Sequence, residues 1–197
     1  VGKKPLIFTN NDSGYETAVE FKKNGVDPVI LDTRKNPKSE IINEAKNLDI
    51  DIKFSYVVVA AKGYKKVRSA EIAKISEDKK ELSVIENINC DCICVSGFWT
   101  PTIHLASQSG NKTIFNKDID AFVPGLSKQN ETTLGAANWN FTLEETLKNS
   151  FDSGYELSKK ITNNDNKISP PIVMEKKSTT HDKFWCVPLP KGKTYKR

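Results

Sequence analysis

Leu6 to Glu20 reads LIFTNNDSGYETAVE: an apolar run, a polar turn, then apolar residues at helical spacing. Strand, tight turn and helix in that order open an α/β unit whose turn, when written G-x-G-x-x-G, cradles a pyrophosphate. Here the six letters are Thr9-Asn10-Asn11-Asp12-Ser13-Gly14, so Thr9 and Asn11 replace the first two glycines and Gly14 keeps the third. That third glycine is the one that packs helix against strand. Asn11 tolerates a left-handed backbone, so the turn is expected to form. Its side chain nevertheless stands where backbone should approach a phosphate, and Asp12 and Ser13 fall at the helix start. A carboxylate there satisfies the helix N-terminus and repels an anion. The expectation is an intact scaffold whose phosphate seat is taken by Asp12.

Outward from this turn, Tyr15, Ala18, Val19 and Phe21 share a helix face and Gly25 stands just past its end. Val29 to Leu31 is a short, wholly apolar strand ending at Asp32, the pattern of a parallel sheet covered on both faces. Asp32 sits about where a ribose-binding acid belongs, so Asp32 and Arg34 read either as a residual adenosine site or as a solvated strand-end pair. Pro37 with Ile41, Ile42, Ala45 and Leu48 predicts a second helix. Strand and helix alternate, which predicts an α/β fold.

From Phe54 to Val95 the period changes. SYVVVAA, KKVRSAEIAKI and ELSVIENINCDCICV read as consecutive strands with turns at Lys62-Gly63 and Ser76 to Lys80, an antiparallel meander attached to the parallel sheet. Then PTIHLASQSG predicts a short helix, KTIFN and AFVPG short strands, and TTLGAAN a strand entering a turn. A long helix is predicted from Thr142 to about Ile161, with Thr142 and Glu145 as a capping box and Leu143, Leu147, Phe151, Tyr155 and Leu157 on its apolar side. Beyond Thr162 the composition turns polar around a Pro-Pro pair. Residues 1–162 are therefore expected to form a Rossmann-like nucleotide-binding region, and 163–197 a linker with the start of a following domain. FWCVPLPKGKTYKR carries apolar anchors whose partner is expected outside this chain.

The 197 residues suffice for one large core with an extension. The formal charge of +5 is spread along the chain, and no basic stretch is studded with aromatics, which argues against nucleic acid. No apolar run approaches the ~20 residues of a membrane span, so the expectation is a cytoplasmic protein without membrane contact. Cys90, Cys92 and Cys94 alternate and are expected on one strand face as buried, reduced thiols. Disulfides between such neighbours are geometrically poor, zinc would need a second cluster, and reduced thiols suit a reducing compartment. The chain starts at Val1 without Met and enters a strand at once, as an excised piece of a longer protein would.

Two further junctions draw attention. In DCICVSGFWTP a strand ends in a small-residue turn followed by Pro101, the way the NAD domain of two-dinucleotide flavoproteins closes; Gly97 either admits a ligand or is an ordinary strand-end glycine. In TTLGAANWNFTLEE a second strand–turn–helix junction offers backbone N–H groups to a pyrophosphate, or is simply a capped helix. His104, in a short helix beside apolar residues, reads as structural and His181 as a solvated tail residue. No nucleophile has a base nearby in sequence, and no catalytic residue or metal site is nominated.

Taken in order, FTNNDSGYETA, VILDTR, SGFWTPTIHLASQSG, AFVPG and GAANWNFTLEETL resemble the α subunit of heterotetrameric sarcosine oxidase and, more loosely, related amine and proline dehydrogenase subunits. FWCVPLPKGK looks like the junction toward that family's folate-binding half. The resemblance implies an oxidoreductase complex that oxidatively demethylates sarcosine to glycine, with partners in a β subunit and smaller subunits. It implies NAD held by the full α subunit, FMN at the α/β interface and FAD in the partner subunit. This chain would be a central fragment, inactive and without bound cofactor alone. Cofactor-contact candidates are Asn11, Ser13, Asp32, Gly97, Gly135, Ala136 and Asn138. The chain departs from the family's S-G-G-W and G-A-A-N-G at Phe98 and Trp139, which either fill a cofactor cleft or mark differently built turns. Besides a cofactor-binding segment, two readings stand: a noncatalytic scaffold that docks other subunits, and a reductase using its own NAD(P)H, against which the altered turn argues.

Overall fold

The computed structural model describes residues 2–162, 169–173 and 182–190. His181, expected to be solvated, lies outside the described residues. The chain divides into two compact units, Val1–Phe98 with Thr180–Arg197, and Trp99–Thr179.

The first unit alternates β1 (Pro5–Thr9), α1 (Ser13–Lys23), β2 (Val29–Asp32), α2 (Glu40–Asn47) and β3 (Asp51–Phe54). The meander β4 (Tyr56–Gly63), β5 (Val67–Ile75) and β6 (Leu82–Asn89) follows, and β7 (Cys92–Ser96) returns to the parallel sheet. That sheet has the order β3-β2-β1-β7, with Leu6 opposite Val29 and Ile93, and Thr9 opposite Asp32 and Ser96. The wholly apolar strands are explained by cover on both faces. Ile7 and Ile30 pack with Tyr15, Ala18, Val19, Ile42 and Ala45 of the helices, while Leu6 and Leu31 pack with Ala70 and Ile72 of the meander. The fold is a Rossmann-like parallel sheet with an antiparallel meander.

The sequence reads a single strand from Glu81 to Val95; the structure breaks it at Cys90 and Asp91. The Asp91 carboxylate accepts the Lys3 and Lys4 N–H groups at 2.6 and 2.9 Å, tying the break to the entry of β1. One consequence corrects the single-face reading of the cysteines. Cys90 is buried on the meander side with Leu6, whereas Cys94 packs on the helix side.

The second unit contains α3 (His104–Gln108), the hairpin β8 (Thr113–Asn116) and β9 (Ala121–Pro124), a 3-10 turn at Gly135–Asn138 and α4 (Leu143–Thr162). Phe115 and Phe122 face each other across the hairpin with ring centroids 5.2 Å apart. The strand expected in TTLGAAN is absent: 131–134 is irregular and Gly135 enters the 3-10 turn directly. Thr142 Oγ1 accepts the Glu145 N–H at 3.2 Å, the first half of the expected capping box. No residue of α4 is buried. His104 is exposed, which corrects its reading as a structural residue.

Residues 182–190 belong to the first unit. Asp182 N–H donates to the Asn10 carbonyl and Asn10 Nδ2 to the Asp182 carbonyl, both at 3.1 Å. Phe184 and Val187 pack against Val57, Ala73 and Ile75 of the meander. These apolar anchors thus find their partner inside the chain rather than beyond it. Among the described residues no helix is long and apolar enough to cross a membrane.

Candidate functional site

In an open α/β sheet, ligands settle outside the carboxyl ends of the strands where strand order reverses. In the first unit that place lies between β1 and β7, and its floor is the turn Asn10-Asn11-Asp12. Asn11 is buried and organises this turn. Its Oδ1 accepts the Ser13 N–H at 2.9 Å and the Ser13 hydroxyl at 2.6 Å, while its Nδ2 donates to the Ser96 carbonyl at 3.1 Å. Ser13 and Ser96 hydroxyls meet at 2.7 Å. Thr9 closes the loop from the strand side: its Oγ1 accepts the Asn11 N–H and donates to the Asn11 carbonyl. The turn reaches this shape without a left-handed residue at Asn11, since no positive φ occurs there. Gly14 keeps the packing role expected of it. A Cβ at Gly14 would stand 2.6 Å from the Thr9 Cβ, so helix and strand are this close only because it is glycine.

The first helical N–H is therefore held by the neutral Asn11 amide, not by Asp12, which makes no capping bond. Asp12 turns instead to Arg34, whose Nη1 reaches it at 2.8 Å. The same guanidinium grips Asp32 through Nε and Nη2 at 3.0 and 2.8 Å, and the Arg34 N–H adds a third bond at 2.9 Å. Tyr15 Oη donates at 2.7 Å to Asp32 Oδ2, the oxygen that also accepts Arg34 Nη2. Asp32 and Tyr15 are fully buried. Burial, then the charge and hydrogen bond of Asp32, push the Tyr15 hydroxyl far above its ordinary value. Burial opposes the Arg34 charge, but the hydrogen bonds and attraction of Asp32 and Asp12 outweigh it and raise its pKa. Arg34 also lies 5.9 Å above the Tyr15 ring. The pair Asp32–Arg34 is thus an inward clamp rather than a solvated strand end.

Above the turn is a cavity of about 170 Å³ lined by Phe8, Thr9, Thr33, Ser96, Phe184 and Val187. Lys79 secures the covering segment by an ion pair with Asp182 and sits 5.9 Å over the Phe184 ring. Gly97 is exposed, and a Cβ there would meet nothing within 4 Å of the described atoms. Phe98 carries φ +139° and packs edge-on to Trp185, 6.4 Å between ring centroids.

Gly135, Ala136 and Asn138 lie in the second unit, where the structure brings them together in the 3-10 turn. Gly135 adopts φ +65°, and Trp139 follows in the left-handed region at φ +71° with its ring 5.1 Å from Phe141. The turn is closed by the Asn140 N–H on the Gly135 carbonyl at 3.0 Å and by Thr146 Oγ1 on the Asn140 carbonyl at 3.0 Å. Among the candidate residues, Asn11, Ser13 and Asp32 gather at one strand end; the five bonds converging on Asp32 include one from Tyr15, which helical spacing marked only as apolar. Ser96, the link between β7 and the turn, lies in the small-residue turn read from the sequence but is not singled out there as a contact.

A dinucleotide asks this fold for an open cradle of N–H groups and a free acid at the end of β2. Neither fits here: the Ser13 N–H is taken by Asn11, and every Asp32 oxygen faces a donor of this chain. No protein-family model matches the chain. It is similar to sarcosine oxidase subunit alpha of Rhizobium meliloti, 33% identical over 144 residues, which is 69% of this chain and 13% of the relative. The same subunit of Corynebacterium sp. (strain P-1) is 26% identical over 74% of this chain and 15% of its own length. The resemblance read from the ordered motifs is thereby shown, and the chain spans only about an eighth to a seventh of the relatives it matches. Among solved structures, a bacillithiol disulfide reductase of Staphylococcus aureus superposes with TM-score 0.50 at 16% identity, covering 64% of this chain and 38% of that one. Thioredoxin reductase of T. acidophilum gives TM-score 0.50 at 14% identity, covering 69% and 47%. These two establish the fold.

Proposed function

We propose that the chain is the central part of an α-type subunit in a flavoenzyme complex that oxidatively demethylates sarcosine to glycine, and that its first unit works there as a structural and docking module. The similarity to sarcosine oxidase subunit alpha over 69% of the chain supports the assignment to an oxidoreductase subunit. The docking role rests on one observation: Arg34 is clamped between Asp12 and Asp32 while Asn11 holds the helix N-terminus, so the turn is satisfied from within. In this reading FMN sits at the interface with the β subunit, FAD in that subunit, and NAD elsewhere in the full α subunit. Residues 163–197 lead toward a folate-binding half. The protein works inside the cell with its partner subunits.

Two measurements test the two halves separately. Thermal unfolding of the chain with millimolar NAD, ADP, FMN or FAD is expected to show no rise in midpoint; a rise with any of them overturns the docking role, because a ligand that binds only the native state must stabilise it. Sarcosine-dependent oxygen uptake by the full-length subunit co-expressed with its partners tests the assignment, and uptake no greater than in the partners alone overturns it.

A further inference from the structure

β7 carries Cys92 and Cys94 on the same side of the strand, with Sγ atoms 3.8 Å apart and both side chains half-buried. The strand lies at the edge of the parallel sheet, so its side chains are reachable from one flank. Residues two apart on a strand have Cα atoms roughly 6.6 Å apart, at the far end of what a disulfide spans, so the pair rests as two thiols with sulfurs turned toward each other. Cys94 packs against the helix-side core, and burial together with the neighbouring Cys92 thiol holds its proton more tightly than usual. Cys90 is on the other face and Cys186 lies in the covering segment; neither joins the pair.

Two sulfurs, apolar surroundings and partial access suit a particular class of ion. Zinc wants four ligands, and among the described residues no group of three or more His, Cys, Asp or Glu is arranged to hold a metal. Thiolates select soft ions, and soft monovalent d10 ions accept two ligands. We propose that Cys92 and Cys94 form a two-thiolate site for Cu(I), with Ag(I) as a redox-inert equivalent. On binding, each thiol gives its proton to solvent as its sulfur bonds the metal, and no electron is transferred. The product carries one negative charge instead of the two of a bare dithiolate, which a half-buried apolar site accommodates better. Proton release makes the affinity rise with pH.

The test is anaerobic titration of the fully reduced chain with Cu(I) against a chromophoric chelator, with Ag(I) followed by native mass spectrometry. The expected result is a single tightly held ion per chain, lost in C92S and in C94S and retained in the C90S/C186S double variant. Copper X-ray absorption of the wild-type chain, which needs no variant to fold, is expected to show sulfur neighbours only, in two-coordination. Binding that survives C92S and C94S, binding lost in C90S/C186S, nitrogen or oxygen ligands at the copper, or no ion retained against the chelator each overturns the site.

Discussion

The turn after β1 and the turn after the 3-10 segment both put a larger residue where a glycine is expected, from the dinucleotide fingerprint at Asn11 and from the resemblance at Trp139, and they respond in opposite ways. At Asn11 the substituted side chain is a hydrogen-bonding hub, and the backbone relaxes into an ordinary conformation around it. At Trp139 the side chain brings a ring contact and no relief, and the backbone keeps glycine's left-handed geometry. Phe98 behaves like Trp139, at φ +139°. A polar replacement can rebuild a turn from inside because it supplies donors and acceptors where backbone groups are orphaned. An aromatic one cannot, so the flanking bonds impose the conformation and the residue absorbs the strain.

The largest effect should come from the clamp that makes the first turn self-sufficient. Arg34→Met leaves the fully buried Asp32 without its guanidinium, and removing one partner of a buried ion pair costs about 3–5 kcal/mol. Urea unfolding followed by circular dichroism measures it. A loss below about 1 kcal/mol would mean that Tyr15 and the backbone already satisfy Asp32 and that the clamp is incidental.

Asn11→Gly restores the second glycine of the dinucleotide fingerprint and should still destabilise, by about 1–2 kcal/mol, because Ser13 and Ser96 lose a shared buried partner. If the turn instead tolerates glycine without loss, and the variant then gains an NAD-dependent rise in unfolding midpoint, Asn11 is a plug rather than a hub. The same experiment thus sharpens the comparison from both sides.

The layers of the fold were legible because they rest on patterns that local chemistry enforces: two-face apolar strands at Leu6–Ile7 and Ile30–Leu31, helical spacing from Tyr15 to Phe21, and a glycine at 14 where a Cβ has no room. The site was legible in position and not in wiring. Sequence placed an acid at the helix start and gave it the capping role, since Asp is a good cap. The structure gives that role to Asn11, because Arg34, 22 residues further on, competes for Asp12 with a full charge. Such a contest between distant groups leaves no periodic trace. The break at Cys90-Asp91 escaped for the same reason, as its cause is the N–H groups of Lys3 and Lys4, almost ninety residues away.

A smaller effect follows from Tyr15. Its folded pKa is raised above the ordinary 10.0, so the native state keeps a proton that the unfolded chain releases above that value. The stability it contributes is complete below pH 10 and falls as pH rises beyond it, by roughly 1 kcal/mol per pH unit. Comparing wild type with Tyr15→Phe between pH 9 and 11 isolates this from lysine titration: the difference between the two should shrink as pH rises, and a constant difference refutes the buried, proton-donating role.

The smallest effect tests the other turn. Trp139→Gly removes a ring contact worth about 0.5–1.5 kcal/mol and relieves left-handed strain of about 1–2 kcal/mol, so it should leave stability nearly unchanged or slightly raised. Trp139→Ala loses the same ring and keeps the strain. The glycine variant should therefore be the more stable of the two by about 1 kcal/mol, despite the greater freedom glycine gives the unfolded chain. Should alanine equal or exceed glycine, the left-handed geometry would be a consequence of the tryptophan ring, and Trp139, like Asn11, would have built its own turn.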